Sequence, residues 1–213
     1  GSDDGEEAVR CARVSPPAGD ADLIGSVSCP APYRIAGAGK RVAVIDLGVK
    51  RSILTGLSRS GADIRVFPHT ATPGDIMAAE PDALLITNGP GDPGKAADAI
   101  RCAREVVGTM PVIGIGMGTQ VAALALGAGT YRMKFGHRGA NQPVRYRDGS
   151  ISITTQNHGF AVDGETLPGG CTVSYRNVND GTVEGFEDKD LAITCVQFHP
   201  DIQFIDRVYR GIP

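Results

Sequence analysis

Residues 111–129, PVIGIGMGTQVAALALGAG, admit few folds. The unbroken apolar run PVIGI suits a strand buried on both faces of a sheet. TQVAALALGAG, which follows, has helical spacing and ends in glycines. Between them stand Gly114, Gly116 and Gly118. A strand that turns sharply into a helix needs small residues on both sides of its tip, because side chains there collide with strand and helix. The spacing is that of a nucleophile elbow, G-x-Nu-x-G, and its tip is residue 116. Here the tip is glycine and carries no nucleophile. Two other readings stay open at this point. One is a tight turn whose glycines serve geometry alone. The other is a phosphate-binding loop, although GIGMGTQ is not G-x-G-x-x-G and no Lys-Ser/Thr follows.

The rest of the chain extends the alternation. VAVIDLG (residues 42–48), DIRVFP (63–68) and DALLIT (82–87) read as further strands. KRSILTGLSRSG, TPGDIMAAE and AADAIRCAREVV read as helices between them. In TPGDIMAAE, Thr72 stands as N-cap, Pro73 opens the helix and Asp75 sits three residues on from the cap. This order predicts an α/β fold with a mostly parallel, flavodoxin-like sheet flanked by helices. After Thr130 the pattern changes to alternating segments rich in Val, Ile and Thr. Asn179-Asp180-Gly181 between two of them signals a hairpin. An antiparallel region is therefore expected, closed by a short helix over FIDRVYRG with Phe204, Ile205 and Val208 inward.

Composition narrows the partners. The 213 residues suffice for one domain with a real core. Residues 1–40, rich in Gly, Pro, Ala and Asp, read as a tail or linker whose leading Gly-Ser is a cloning remnant; residues 41–213 read as the domain. A net charge of −3 suggests no nucleic-acid partner. No apolar run reaches the roughly 18 residues of a membrane span, and the acidic, polar start is unlike a signal peptide. The five cysteines, Cys11, Cys29, Cys102, Cys171 and Cys195, show no metal-ligand spacing, so no metal is expected. They fit reduced thiols in a cytoplasmic protein.

Six segments in order, NGPGDP (88–93), PVIGIGMGTQ (111–120), MKFGHRGANQPV (133–144), TQNHGFAVD (155–163), NVNDGTVEG (177–185) and VQFHPD (196–201), resemble the class I, triad-type glutamine amidotransferase domain of the carbamoyl-phosphate synthetase small subunit. The resemblance runs from about Arg41 to the end. It implies glutamine hydrolysis that supplies ammonia to a ligase making carbamoyl phosphate in arginine or pyrimidine synthesis. It assigns no cofactor to this chain; ATP and magnesium belong to a large synthetase subunit, the implied partner. Small subunits of the family carry, in addition, an N-terminal domain that this chain does not contain.

The family's elbow is G-I-C-L-G-H-Q, and here it is G-I-G-M-G-T-Q. Gly116 occupies the position of the cysteine nucleophile, and Thr119 replaces a histidine. By resemblance His199 is the base and Asp201 the orienting acid, one methylene shorter than the usual Glu. Gly89, Gly91 and Met117 match the oxyanion site. Gln120, Asn157, Gly159 and Phe160 match residues that hold glutamine, and His158 lies near that site. His69 and His137 have no assigned role. The family's Ser-Pro-Gly-Pro loop after the triad acid is replaced by IQFIDRVYRG. A thiolate must attack the carboxamide carbon while His takes and returns the proton, so glycine at 116 implies a domain without glutaminase activity. Its synthetase would depend on free ammonia. Two alternatives are a laboratory nucleophile-deletion variant of an active glutaminase and a glutamine-binding regulatory or scaffolding module.

Overall fold

The computed structural model describes residues 3–15 and 21–212; the Gly1–Ser2 pair read as a cloning remnant lies outside them. The helices are α1 (Asp3–Val14), α2 (Ile24–Val27), α3 (Arg51–Arg59), α4 (Pro73–Met77), α5 (Ala97–Val106), α6 (Met117–Ala125) and α7 (Ile202–Arg210). The strands are β1 (Tyr33–Ile35), β2 (Arg41–Asp46), β3 (Asp63–Pro68), β4 (Ala83–Ile86), β5 (Val112–Ile115), β6 (Thr130–Tyr146), β7 (Ile151–Val162), β8 (Thr172–Asn177), β9 (Val183–Asp188) and β10 (Ile193–Val196).

All ten strands join one mixed sheet in the order β1-β3-β2-β4-β5-β10-β9-β7-β6-β8. β3, β2, β4, β5 and β10 pair in parallel. The apolar runs of β2, β4, β5 and β10 have no polar face because both faces are covered, whereas β3 leaves Arg65 exposed. Ala43, Ile45, Leu84 and Ile86 pack with residues of α5 and α6, including Ala103 and Val121. Val42, Val44, Leu85 and Ile113 turn the other way and pack with Ile53 and Leu57 of α3 and Ile205 and Tyr209 of α7. In α7, Phe204 and Val208 are half-buried beside that core. The Thr72–Asp75 capping box forms at the start of α4.

The antiparallel half is more elaborate than a set of added strands. β6 pairs with β7 and β8, β8 pairs with β9, and β7 reaches β9 at Val162–Val183. The four strands thus close on themselves, and the Asn179-Asp180-Gly181 turn joins β8 to β9 with Gly181 at φ +75°. β9 also pairs antiparallel with β10, which attaches this ring to the parallel sheet. β6 bulges between Arg132 and His137, where Gly136 takes φ +70°.

The segment read as a linker contributes to the domain. Ile24 is 1% exposed in the core, the Cys29 N–H donates to Asp46 Oδ2 at 2.9 Å, and β1 pairs antiparallel with β3. A three-residue edge strand carries too little pattern to be seen in a Gly/Pro-rich context.

Candidate active site

The elbow forms where β5 hands over to α6. Gly116 sits at φ +60°, ψ −116°, a region L side chains rarely adopt. Its flanking glycines are required by contact. A Cβ on Gly118 would land on the Ile86 carbonyl. One on Gly114 would lie 2.7 Å from Cys195 Sγ and 2.8 Å from the Gly118 carbonyl oxygen. The Gly116 N–H donates to the Val196 carbonyl at 2.8 Å, which ties the tip to β10. Thr119 is buried and its hydroxyl reaches the carbonyls of Val196 at 2.7 Å and Gly114 at 3.2 Å.

A cleft of ≈ 470 Å³ opens at the tip. Gly116, Met117, Gly89, Gly91, Gln120, Asn157, Gly159, Phe160 and His199 all line it. Met117 is the first residue of α6, so its N–H has no intrahelical acceptor and lies at the helix's positive end. Gly89 is confined because a Cβ there would strike the Leu47 carbonyl, and Gly91 takes φ +92°. The Gln120 amide nitrogen donates to the Phe160 carbonyl at 2.7 Å and to Gln197 Oε1 at 3.0 Å. One N–H therefore joins α6 to the β7 wall and the other joins it to the segment after β10.

No hydrogen bond or ion pair joins the His199 and Asp201 side chains. His199 Nε2 lies 3.0 Å from Ser52 Oγ, at the start of α3. Its backbone N–H donates to the Thr155 carbonyl at 2.9 Å. Asp201 is exposed, and its Oδ1 accepts from the Phe204 N–H at 2.7 Å as the N-cap of α7. No carboxylate among the described residues pairs with the His199 ring. Burial, and then the Lys50 ammonium, hold the imidazole below its ordinary pKa. The predicted acid is thus placed as a helix cap. Its short side chain and the helix that begins at the next residue account for this.

The cleft holds no cysteine among its lining residues. Cys195 is buried behind the elbow, and burial pushes its thiol far up. Burial also raises Cys29, Cys102 and Cys171, each to about 11. None of these four is a thiolate at neutral pH.

Sequence reasoning missed the charge of this cleft. Lys50, Arg132, Lys134 and Arg138 line it, and among the described residues no Asp or Glu does. The alternating basic residues of YRMKFGHR at the start of β6 were the available signal. Ser52 gave none, because its meeting with His199 joins residues 147 apart.

A family model described as glutamine amidotransferase class-I matches residues 43–204, and the chain belongs to that family. Within it, the chain is homologous to carbamoyl phosphate synthase small chains. That of Methanosarcina acetivorans is 50% identical over 214 residues, which cover 95% of this chain and 58% of that protein. That of Caldanaerobacter subterraneus is 50% identical over 182 residues, covering 84% and 51%. The chain therefore spans little more than half the length of these relatives. Among solved structures, a glutamine amidotransferase from Thermotoga maritima superposes with a TM-score of 0.61 at 17% identity, covering 76% of each chain. A protein from Thermoplasma acidophilum, described as a putative GMP synthase component, gives 0.69 at 21%, covering 83% of this chain and 95% of that one. Among the described residues, no helix is long and apolar enough to cross a membrane.

Proposed function

We propose that this chain is the amidotransferase part of a carbamoyl phosphate synthase small chain that binds glutamine without hydrolysing it. The observation that carries the reading is Gly116 at the elbow tip, with no thiolate to replace the missing nucleophile. Loss of a triad nucleophile typically costs about 10⁴–10⁶ in rate. The lack of a hydrogen bond between His199 and Asp201 supports the same conclusion, since an imidazole with no carboxylate partner is a poor relay for protons.

The binding half of the reading rests on charge. Lys50, Lys134 and Arg138 on the cleft lining suit an amino acid's α-carboxylate, and the Asn157–Phe160 wall supplies backbone and amide groups for the carboxamide end. A large synthetase subunit holding ATP and magnesium would then take free ammonia. Thr119, doubly hydrogen-bonded in the core, and Asp201, serving as a cap, are well-integrated replacements. They favour accumulated natural change over a single laboratory substitution.

The experiment is carbamoyl phosphate synthesis by the complex with its large subunit, supplied with ammonia or with glutamine. Turnover with ammonia and none with glutamine is expected. Robust glutamine-dependent turnover overturns the proposal. Calorimetry with glutamine alone separates a binding module from a scaffold.

A further inference from the structure

A second polar cluster lies in the antiparallel ring. His137 (β6), His158 (β7) and Glu184 (β9) converge, with ligand-type atoms all within 4.8 Å of one another. His137 Nδ1 lies 2.9 Å from Glu184 Oε1 and 3.2 Å from His158 Nε2, and His158 Nε2 lies 3.8 Å from Glu184 Oε1. A triangle with these edges has a centre about 2.0 Å from each corner, the length of a zinc–nitrogen or zinc–carboxylate bond.

The protons make the cluster more than a geometric coincidence. His137 Nε2 faces Asp180 Oδ2 at 2.9 Å, which supports that nitrogen from outside and leaves Nδ1 turned toward Glu184 and His158. His158 Nδ1 faces the Phe160 carbonyl at 2.8 Å, so its Nε2 bears a lone pair. That Nε2 also faces Gln156 Oε1 at 3.0 Å, an assignment fixed by the Gln156 nitrogen donating to Thr154 Oγ1. Four ligand-type atoms, His137 Nδ1, His158 Nε2, Glu184 Oε1 and Gln156 Oε1, therefore converge. Glu184 is fully buried, and its other oxygen, Oε2, has no partner. Asn177 Nδ2 reaches Glu184 Oε1 at 3.3 Å and lies 3.4 Å from His137 Nδ1. Converging acceptors in a buried site call for a cation. Each imidazole donates its outer N–H to a carboxylate or a carbonyl, which is the support that metal-ligating histidines have.

We propose that His137 Nδ1, His158 Nε2 and Glu184 form a site for a divalent transition-metal ion, zinc in type, with Gln156 Oε1 beside it. The two-nitrogen, one-carboxylate donor set suits zinc over calcium or magnesium. The site fixes one wall of the glutamine cleft, because His158 lines that cleft between Asn157 and Gly159.

The test is titration of chelator-treated protein with zinc chloride by calorimetry, and with cobalt chloride by visible absorption. One equivalent bound, with a d–d band of four-coordinate cobalt, is expected. Asp180→Asn replaces the carboxylate behind His137 with an amide whose oxygen can still accept from Thr182 in the turn, so the fold is retained, and it should weaken binding about 10–100-fold. Glu184→Gln should abolish binding. Absence of saturable binding by protein folded by circular dichroism overturns the proposal. So does binding unchanged in Asp180→Asn, which would place the metal elsewhere. So would a nitrogen-15 imidazole spectrum showing that the cluster is bridged by imidazolium protons after zinc is added.

Discussion

Replacing Gly116 with cysteine would put a side chain at φ +60°, ψ −116°. Backbone strain of that kind costs about 1–3 kcal/mol. The new Cβ would lie 3.1 Å from Asn88 Cβ and 3.4 Å from Asn88 Cα, so Asn88 must shift by a few tenths of an ångström. Asn88 is held at both ends of its amide, by the Lys50 N–H and the Gly48 carbonyl, and resists that shift. For a chain of this size the strain lowers the melting temperature by about 2–12 °C. Gly116→Ala carries the same Cβ and should lose the same amount, which separates the backbone term from the thiol. The thiol itself would sit at the positive end of α6 and react readily with iodoacetamide. Glutamine turnover should stay about 10⁴-fold below that of an intact triad, because no acid orients His199. Scanning calorimetry of both variants and a glutaminase assay of the cysteine variant provide the readouts. A cysteine variant that melts with the parent refutes the argument from elbow strain, and rapid turnover refutes the argument from the misplaced acid.

Asp201→Ala should cost about 1 kcal/mol through loss of the α7 cap, measured by urea unfolding, while leaving the NMR titration of His199 unmoved. His199 titrates below its ordinary value of 6.5, so the folded state disfavours its charged form. Stability should therefore fall as pH drops from 6.5 toward the depressed folded pKa and level off below it; His199→Gln should flatten that part of the profile in urea melts. Lys50→Met removes the second cause and should raise the His199 pKa, read by the ring-proton shifts. Gly118→Ala drives a Cβ onto the Ile86 carbonyl and should destabilise by about 3 kcal/mol, seen as a large fall in melting temperature.

The parallel half of the sheet was legible in the sequence because burial on both faces leaves apolar runs that need no partner to be recognised. VAVID, ALLI and VIGI became β2, β4 and β5. The elbow was legible for a related reason: glycines at 114 and 118 answer to local collisions with Cys195, Gly118 and Ile86. The ring was only partly legible. Its hairpin turn at Asn179–Gly181 is a local signal, but closure depends on β8 pairing with two strands far apart in sequence. β6 hid its length behind Gly136, Gly139 and Pro143. Asp201 shows how motif and local structure compete. The same residue reads as a triad acid from His199 and as an N-cap from α7, and the adjacent helix takes it. The His137–His158–Glu184 cluster had no sequence signal, since three strands each contribute one residue at unpatterned separations.

The backbone bridge between Thr155 and His199 joins the parallel sheet to β7. With the Gln120–Phe160 bond it sets the gap between the elbow and the opposite wall. The cleft is in effect a caliper hinged where β9 pairs with β10, and these two hydrogen bonds latch its open side. Each such bond contributes about 0.5–1.5 kcal/mol net, a small part of what holds a domain of this size together. Breaking this latch takes less than unfolding the domain, so amide exchange at His199 should run faster than exchange in β5 and β10.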